Sequence, residues 1–383
     1  MTTRHTKIIV SSHVSSVDGT TKPFVKHLLT KFNYVTVIYH PFSDRTGEPS
    51  TCDSYVSGVL KEKKEAKNTP HENTNYILHI LYNFYFILSK KNRFDLFVGI
   101  DCLNAFCGII LKRLKIVNKV ILYTVDYAKL RYENKIMNNT YHLLDNICVK
   151  NSDFVWNVSK RICEVRRQQG LKEDKNLFVP NGVHINKVKH LSLETIDKRS
   201  FIYIGHLKKE KGMHLIINSF PTIVENIPNA HLFIIGDGPY RAELENLVQN
   251  LGLKNFVIFL GAMNHESILK EIVKHGIGLA PYTKEKYTFY CSPIKVKEYL
   301  AAGCPVIITD VPDISLDVKK HKLGFVVNEE NLQDEFVKYS LKLIGNPDLY
   351  KECRNNALKY ASNYDWDAIY DKSLKRVISC NKT

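Results

Sequence analysis

Short apolar runs alternate with helix-length amphipathic stretches along nearly the whole chain. The first run is Lys7 to Ser12 (KIIVSS); after the loop HVSSVDGTTKP a helical pattern spans Phe24 to Phe32, and a second strand, Tyr34 to Tyr39, follows at once. A β-loop-α-β unit of this kind builds parallel, doubly wound sheets. Further strands are predicted at Leu96 to Ile100, Val120 to Thr124, Phe154 to Val158 and Leu177 to Val179, with helices at Asn104 to Lys115 and Tyr141 to Lys150. The polar stretch Asn186 to Arg199 (NKVKHLSLETIDKR) interrupts the rhythm and reads as a linker. Beyond it the alternation resumes, with strands at Phe201 to Ile204, His231 to Ile235, Val257 to Leu260, Ile277 to Ala280 and Val306 to Thr309. Helices are predicted between them at Met213 to Asn226, Tyr240 to Leu251, Ser267 to Lys274 and Ile294 to Ala302. The fold class is therefore α/β: two Rossmann-like doubly wound domains, 1–195 and 196–360, with a ligand cleft expected between the carboxyl ends of the two sheets.

Length and composition agree with this picture. At 383 residues the chain exceeds the ~250–300 at which one hydrophobic core stops growing, and 44% apolar with 24% charged residues is an ordinary globular balance. Nine cysteines form no C-x-x-C pair and mostly sit in apolar runs, so reduced thiols and a cytoplasmic protein are expected, with no disulfide or zinc site. The first residues, MTTRHTKIIVSSHVSS, lack the apolar stretch of an export signal. The longest apolar run, Tyr76 to Leu88, is short of the ~20 residues that span a bilayer and is expected as a buried core helix.

Charge changes the picture in one respect. The net charge of +15 is concentrated in the first half, +13 over residues 1–200 against +2 over 201–383. Such asymmetry suits an anionic partner, whether an acidic lipid surface or a phosphorylated substrate; it also fits a plain solvated surface. No zinc-finger spacing, RNA-recognition signature or basic heptad appears, so no nucleic-acid partner is expected.

Three segments carry candidate chemistry. The turn Gly205-His206-Leu207-Lys208-Lys209-Glu210-Lys211-Gly212 joins a strand to a helix, where backbone N–H groups, the helix dipole and Lys211 would all favour a diphosphate. A second glycine turn, Gly236-Asp237-Gly238-Pro239, follows the next strand; alone it is tight-turn chemistry. In Tyr290-Cys-Ser292-Pro293-Ile294-Lys295-Val-Lys-Glu298, Pro293 suits a first helical turn, and Lys295 and Glu298 share a face three residues apart. A carboxylate there suits two sugar hydroxyls, as in ribose, while on geometry alone a simple i, i+3 surface ion pair is slightly favoured.

Taken together, YIGHLKKEKGMHLIINSF, FIIGDGPYRAELENLVQNLGL, VIFLGAM and SPIKVKEYLAAGCPVIITDVP resemble the C-terminal domain of the family 4 retaining glycosyltransferases (glycosyl transferases group 1), which have the two-Rossmann GT-B architecture. Val179-Pro180-Asn181-Gly182-Val183 and the Gly19 loop resemble the family's first domain, and Tyr364-Asp-Trp366 its closing segment, 361–383, which crosses back to that domain. The resemblance implies that Lys211 neutralises the donor diphosphate and Glu298 holds the nucleotide ribose. It implies further that Gly19 and the N–H groups of Ser292, Pro293's neighbour Ile294 and Lys295 approach the phosphates, and that backbone near Gly261 sits beside the base. Two positions depart from the family pattern: His206 stands where an Arg is usual and Tyr290 where a Glu is usual. Asp101, Asn104 and Asp126, each following a strand, are the candidates on the first domain.

The implied reaction transfers a hexosyl group from a UDP- or GDP-linked sugar to a hydroxyl of a sugar, lipid-linked or glycan acceptor, with retained configuration. No metal or other cofactor is expected, and the lone D-x-D string, Asp365-Trp366-Asp367, reads as structural. Location would be cytoplasmic, with peripheral attachment to the inner membrane face. Competing readings are a nucleotide-sugar 2-epimerase of the same architecture and a degenerate, non-catalytic partner subunit.

Overall fold

The computed structural model describes residues 5–14, 19–42, 45, 47–188, 193–285 and 287–379. Residues 15–18 of the first loop, 189–192 of the polar segment and Cys380 lie outside that set. The chain divides into two compact units, one comprising residues 1–180 with 369–383 and the other residues 181–368.

The first unit runs β1 (Lys7–Val14), α1 (Thr21–Lys31), β2 (Tyr34–Pro41), β3 (Ser50–Val56), β4 (Val59–Ala66), α2 (Glu72–Leu88), β5 (Phe94–Ile100), α3 (Cys102–Arg113), β6 (Val117–Thr124), α4 (Lys135–Asn151), β7 (Phe154–Asn157), α5 (Lys160–Gln168) and β8 (Asn176–Phe178). Its sheet has the order β4-β3-β2-β1-β5-β6-β7-β8. From β2 to β8 every pairing is parallel, and those strands are largely buried, as parallel strands covered by helices are. The β3–β4 hairpin is antiparallel and was not anticipated. Its turn is Ser57-Gly58, with φ of 49° and 78°, the left-handed pair that a two-residue hairpin needs. Most of β4 (VLKEKKEA) is exposed, and its lysines protect an edge strand from further pairing.

Helix α2 corrects the expectation of a core helix. Phe86 and Ile87 are buried, but so are Asn75, His79 and Asn83, while Ile77, Leu81, Tyr85 and Leu88 face outward at 63, 55, 59 and 49% exposure. The helix is half inverted: its polar residues meet a polar interior and an apolar stripe meets water. Among the described residues no helix is long and apolar enough to cross a membrane.

The second unit runs β9 (Asp197–Ile204), α6 (Met213–Asn226), β10 (His231–Ile235), α7 (Arg241–Asn250), β11 (Val257–Gly261), α8 (His265–Ile272), β12 (His275–Ala280), α9 (Ile294–Ala301), β13 (Val306–Thr309), α10 (Ser315–Lys320), β14 (Gly324–Val327), α11 (Leu332–Gly345) and α12 (Pro347–Ala361). All six strands pair in parallel, in the order β11-β10-β9-β12-β13-β14. The units part ahead of the polar segment 186–199 because residues 181–183 are already bonded into the second one: the Val183 N–H donates to the Tyr364 carbonyl (2.9 Å) and Asn181 Nδ2 to the Ser292 carbonyl (2.9 Å). The last helix, α13 (Trp366–Ser379), is divided between them from Ile369 onward, later than the boundary at 361. Asp365 Oδ1 accepts from the Asp367 and Ala368 N–H groups, so this part of the D-x-D string caps α13. The eight described cysteines are unbridged, and all but Cys291 are buried.

Candidate functional site

Each parallel sheet has a point where the strand order reverses, and ligands of such sheets bind beyond the carboxyl ends of the strands there. In the second unit the reversal lies between β9 and β12, and the loops after both strands converge on it. Glycines allow the convergence. A Cβ on Gly236 would lie 2.0 Å from the Gly205 carbonyl oxygen, and one on Gly212 would lie 1.7 Å from that of Pro281, with φ already at +72°. The turn from Gly205 to Gly212 offers fewer peptide donors than the sequence suggests, because the N–H groups of Gly205, Leu207, Lys211 and Gly212 donate to the carbonyls of Ile235, Asp237, Lys208 and Lys209.

What the turn does present is a pair of lysines. Lys211 Nζ lies 4.9 Å from the Tyr282 ring centroid and 5.1 Å from that of Tyr287; Lys295 Nζ lies 5.0 Å from the same Tyr282 ring and 3.8 Å from Tyr203. Aromatic faces hold both ammonium groups. Lys295 is buried, and among the described residues no carboxylate comes within ion-pair distance of it. Burial, then the neighbouring Lys211 charge, pushes its amine well below the usual lysine range. The two amines, gathered on one tyrosine ring at the reversal point, form a site that a diphosphate would complete.

Helix α9 carries Lys295 and Glu298, and every residue from Lys295 to Ala301 is buried, so the pair is no surface ion pair. Pro293 caps the helix rather than opening its first turn. Glu298 accepts from His265 Nε2 at 2.5 Å, and that bond raises the His265 pKa above its ordinary value. His265 was not singled out from the sequence: the cue, Asn-His-Glu at a helix start after a strand, reads as capping alone, and Asn264 does cap α8 through the Ser267 N–H. Lys297 reaches Ser292 Oγ at 3.1 Å and lies over Tyr364 at 5.1 Å. Tyr290 is buried in a short 3-10 turn, whereas His206 is exposed. Gly238 packs a would-be Cβ 2.3 Å from the Leu207 carbonyl, and Gly261 (φ +73°) accepts from the Gly236 N–H at 2.8 Å. These glycines thus join the ends of β9, β10 and β11.

In the first unit the order reverses between β1 and β5, and Asp101 stands there, after β5. Its φ of 80° with ψ of 165° is a region that residues other than glycine rarely enter. Its side chain caps α3 through the Asn104 N–H (3.1 Å), accepts from Asn104 Nδ2 (3.1 Å) and lies 2.7 Å from His13 Nδ1. His13 Nε2 meets His79 Nδ1 at 3.0 Å, and His79 stacks on His40 at 4.5 Å. Burial, then the His13 charge, drives His79 down to about 3, so His79 is neutral, and the contact between His13 Nε2 and His79 Nδ1 ties α2 to the His13–Asp101 pair. The inward polar face of α2 thereby steadies this carboxylate, with Asn83 Nδ2 donating to Asn104 Oδ1 (3.1 Å). Asp101 and Asp126 both line a cavity of about 440 Å³, and Asp126 pairs with Arg131 at 2.9 Å. Gly19 precedes α1 in this unit, so the second unit's own loops gather Lys211, Lys295, Gly205 and Glu298 without it.

Residues 188–360 match the model of the glycosyl transferases group 1 family. An uncharacterized glycosyltransferase of Methanocaldococcus jannaschii is 28% identical over 270 residues, 66% of this chain and 57% of that relative; the chain thus spans less than two thirds of the length of such curated relatives. Among solved structures, the sucrose-phosphate synthase of Thermosynechococcus elongatus superposes with a TM-score of 0.74 at 15% identity, covering 98% of this chain and 100% of that one. HepE of Anabaena, solved in complex with UDP, gives 0.72 at 16% identity over 97% and 100%. These likenesses establish the two-Rossmann GT-B fold.

Proposed function

We propose, from the match of residues 188–360 to the glycosyl transferases group 1 model, that the protein is a retaining hexosyltransferase of glycan or glycolipid biosynthesis that uses a nucleotide diphosphate sugar. The observation that carries this reading is the pair Lys211 and Lys295 on a shared tyrosine, beside a buried Glu298, at the reversal point of the second sheet. HepE binds UDP, which supports a uridine donor; GDP-linked sugars remain in the test.

In the proposed reaction the bond from sugar C1 to the diphosphate oxygen breaks, the acceptor oxygen bonds to C1 on the same face, and the acceptor proton leaves with the nucleoside diphosphate. Negative charge grows on the departing phosphate, so fixed cations there stabilise the transition state more than the bound substrate. Lys211 and Lys295 supply that charge. Glu298 takes the ribose hydroxyls after His265 yields its place. Asp101 and Asp126 orient the acceptor hydroxyl in the first unit. The reaction is proposed to need no metal, and the basic first half to rest peripherally on an anionic cytoplasmic membrane face.

The test is a screen of UDP- and GDP-sugars with the full chain, reading protection against thermal unfolding and then transfer. Lys211→Ala and Glu298→Gln should each abolish turnover while leaving the fold intact. Near-normal turnover in either removes that residue from the site, and donor consumption without any acceptor would point to the epimerase instead.

A further inference from the structure

The first-unit cavity has carboxylates, a guanidinium and hydroxyls in its lining, yet nearly all of these polar groups are already engaged. Asp145 is clasped by the buried Arg166, which also donates to Thr124 Oγ1 at 3.0 Å. Thr140 donates to the Ile136 carbonyl at 2.9 Å. Asp126 is paired with Arg131, and Asp101 with His13 and Asn104. The rest of the wall is mostly apolar, with Phe42, Leu103, Leu122, Ile136, Met137 and Leu144 beside His13 and the rings of Tyr76, Tyr132 and Tyr141. A sugar ring placed there would find few partners for its hydroxyls, and a buried polar group without a partner weakens binding.

The mouth tells the same story. Ile136 lines the cavity and stands 78% exposed, with Leu130 nearby in sequence at 42%. Large apolar side chains left in water beside an apolar cavity gain from a ligand that covers them. Only Asp101 and Asp126, whose side chains are 33 and 53% exposed, keep carboxylate lone pairs within reach of a ligand hydroxyl. At about 440 Å³ the space falls within the ~300–1,000 Å³ range of small-molecule pockets.

Resting on the glycosyltransferase reading above, we propose that the acceptor is amphiphilic: a hydroxyl, or a small hydroxylated head, at Asp101 and Asp126, with a hydrocarbon body filling the cavity behind it. The selectivity is then for an apolar aglycone or lipid alcohol over a free sugar. Burying one methylene is worth about a fourfold change in affinity, so affinity should climb steeply with chain length until the cavity is full.

The experiment titrates the full-length protein calorimetrically with alkan-1-ols of four, six and eight carbons, with methyl β-glucoside as the polar comparison and UDP and GDP as separate ligands. The expected result is a gain of roughly fifteenfold for each two-carbon step and weaker binding of the glucoside. Ile136→Asp and Leu103→Asp should abolish the chain-length dependence. Both positions lie in first helical turns, are incompletely buried and tolerate an acidic residue near the helix dipole, so the fold is kept. UDP or GDP binding should be unchanged in these variants. A flat chain-length series, a series that persists in both variants, or tighter binding of the glucoside overturns the proposal. Loss of all nucleotide binding in the unmodified protein, with the alkanol series intact, instead strikes the glycosyltransferase reading on which it rests.

Discussion

Replacing Lys295 by Met should make the protein more stable and less active. Lys295 is 9% exposed, has no carboxylate partner among the described residues, and is crowded by Lys211. Methionine keeps a straight chain of similar reach. Removing the ammonium forfeits a cation–π contact with Tyr203 worth up to about 2 kcal/mol, but relieves the desolvation of a buried amine; even buried ion pairs, whose charges are matched, are elsewhere replaced by apolar residues with a change that is neutral or stabilising by ~1–4 kcal/mol. A net gain of roughly 1–2 kcal/mol follows, equivalent to a rise in Tm of about 2–8 °C for a unit of this size. The sign with pH is fixed too. A lowered lysine pKa means that the unfolded chain binds the proton more readily, so wild-type stability rises with pH between the lowered value and ~10.4, and the variant lacks that rise. Turnover should fall by about 10²–10³, the typical cost of losing one charge-stabilising contact in a transition state. Thermal unfolding with and without UDP or GDP, together with initial rates, gives both numbers. A lower Tm with turnover retained would refute the reasoning and make Lys295 a packing residue.

The pair His265–Glu298 stabilises fully below pH ~6.5 and loses its effect as pH climbs through the raised His265 pKa, so the gap in urea midpoint between wild type and Glu298→Gln should narrow from pH 6 to pH 9. His79 acts in the opposite direction: burial holds it neutral, so stability is full above pH ~6.5 and falls as pH drops toward about 3. His79→Gln should make that acid limb shallower by up to ~1.4 kcal/mol per pH unit; an unchanged slope would mean that His79 protonates freely. The outward stripe of α2 is adjoined by Lys64, Lys90 and Lys91, and the double variant Ile77→Asp, Leu81→Asp should release the full chain from anionic vesicles while leaving its unfolding free energy within about 1 kcal/mol of wild type. Equal co-sedimentation of wild type and variant would remove α2 from the membrane contact.

All the parallel strands except β14 (Gly324–Val327) were legible because burial makes each a short apolar run, as in Val120–Thr124 and Val306–Thr309. The hairpin of β3 and β4 was not, since Lys61 to Glu65 alternates charge and resembles a solvated loop; the Ser57-Gly58 turn was its one signal. The α2 run showed hydrophobicity without direction: nothing local says that Asn83 turns inward, because its partners Ser11 and Asn104 are remote in sequence. Lys211, Lys295 and Glu298 stood out through motif spacing. His265 and His13 did not, since their partners, Glu298 for the first and Asp101 and His79 for the second, are remote in sequence. The unit boundary eluded the reading for the same reason, Val183 being bonded to Tyr364.

The division of α13 has a consequence for the order in which the protein can form. Its residues from Ile369 onward complete the first unit: Tyr370 packs 4.9 Å from Phe24, Lys31 Nζ bonds Asp371 at 2.9 Å across 340 residues of sequence, and Lys119 Nζ reaches the Val377 carbonyl at 2.8 Å. During synthesis the first unit emerges early, yet the ring that covers Phe24 is made only after the whole second unit has left the ribosome. Until then an aromatic surface stays open, and loop-closure entropy taxes the final docking step. Premature termination anywhere in the second unit therefore yields a first unit that lacks its lid, so truncated products should be recognised by chaperones and proteases rather than persist as folded fragments.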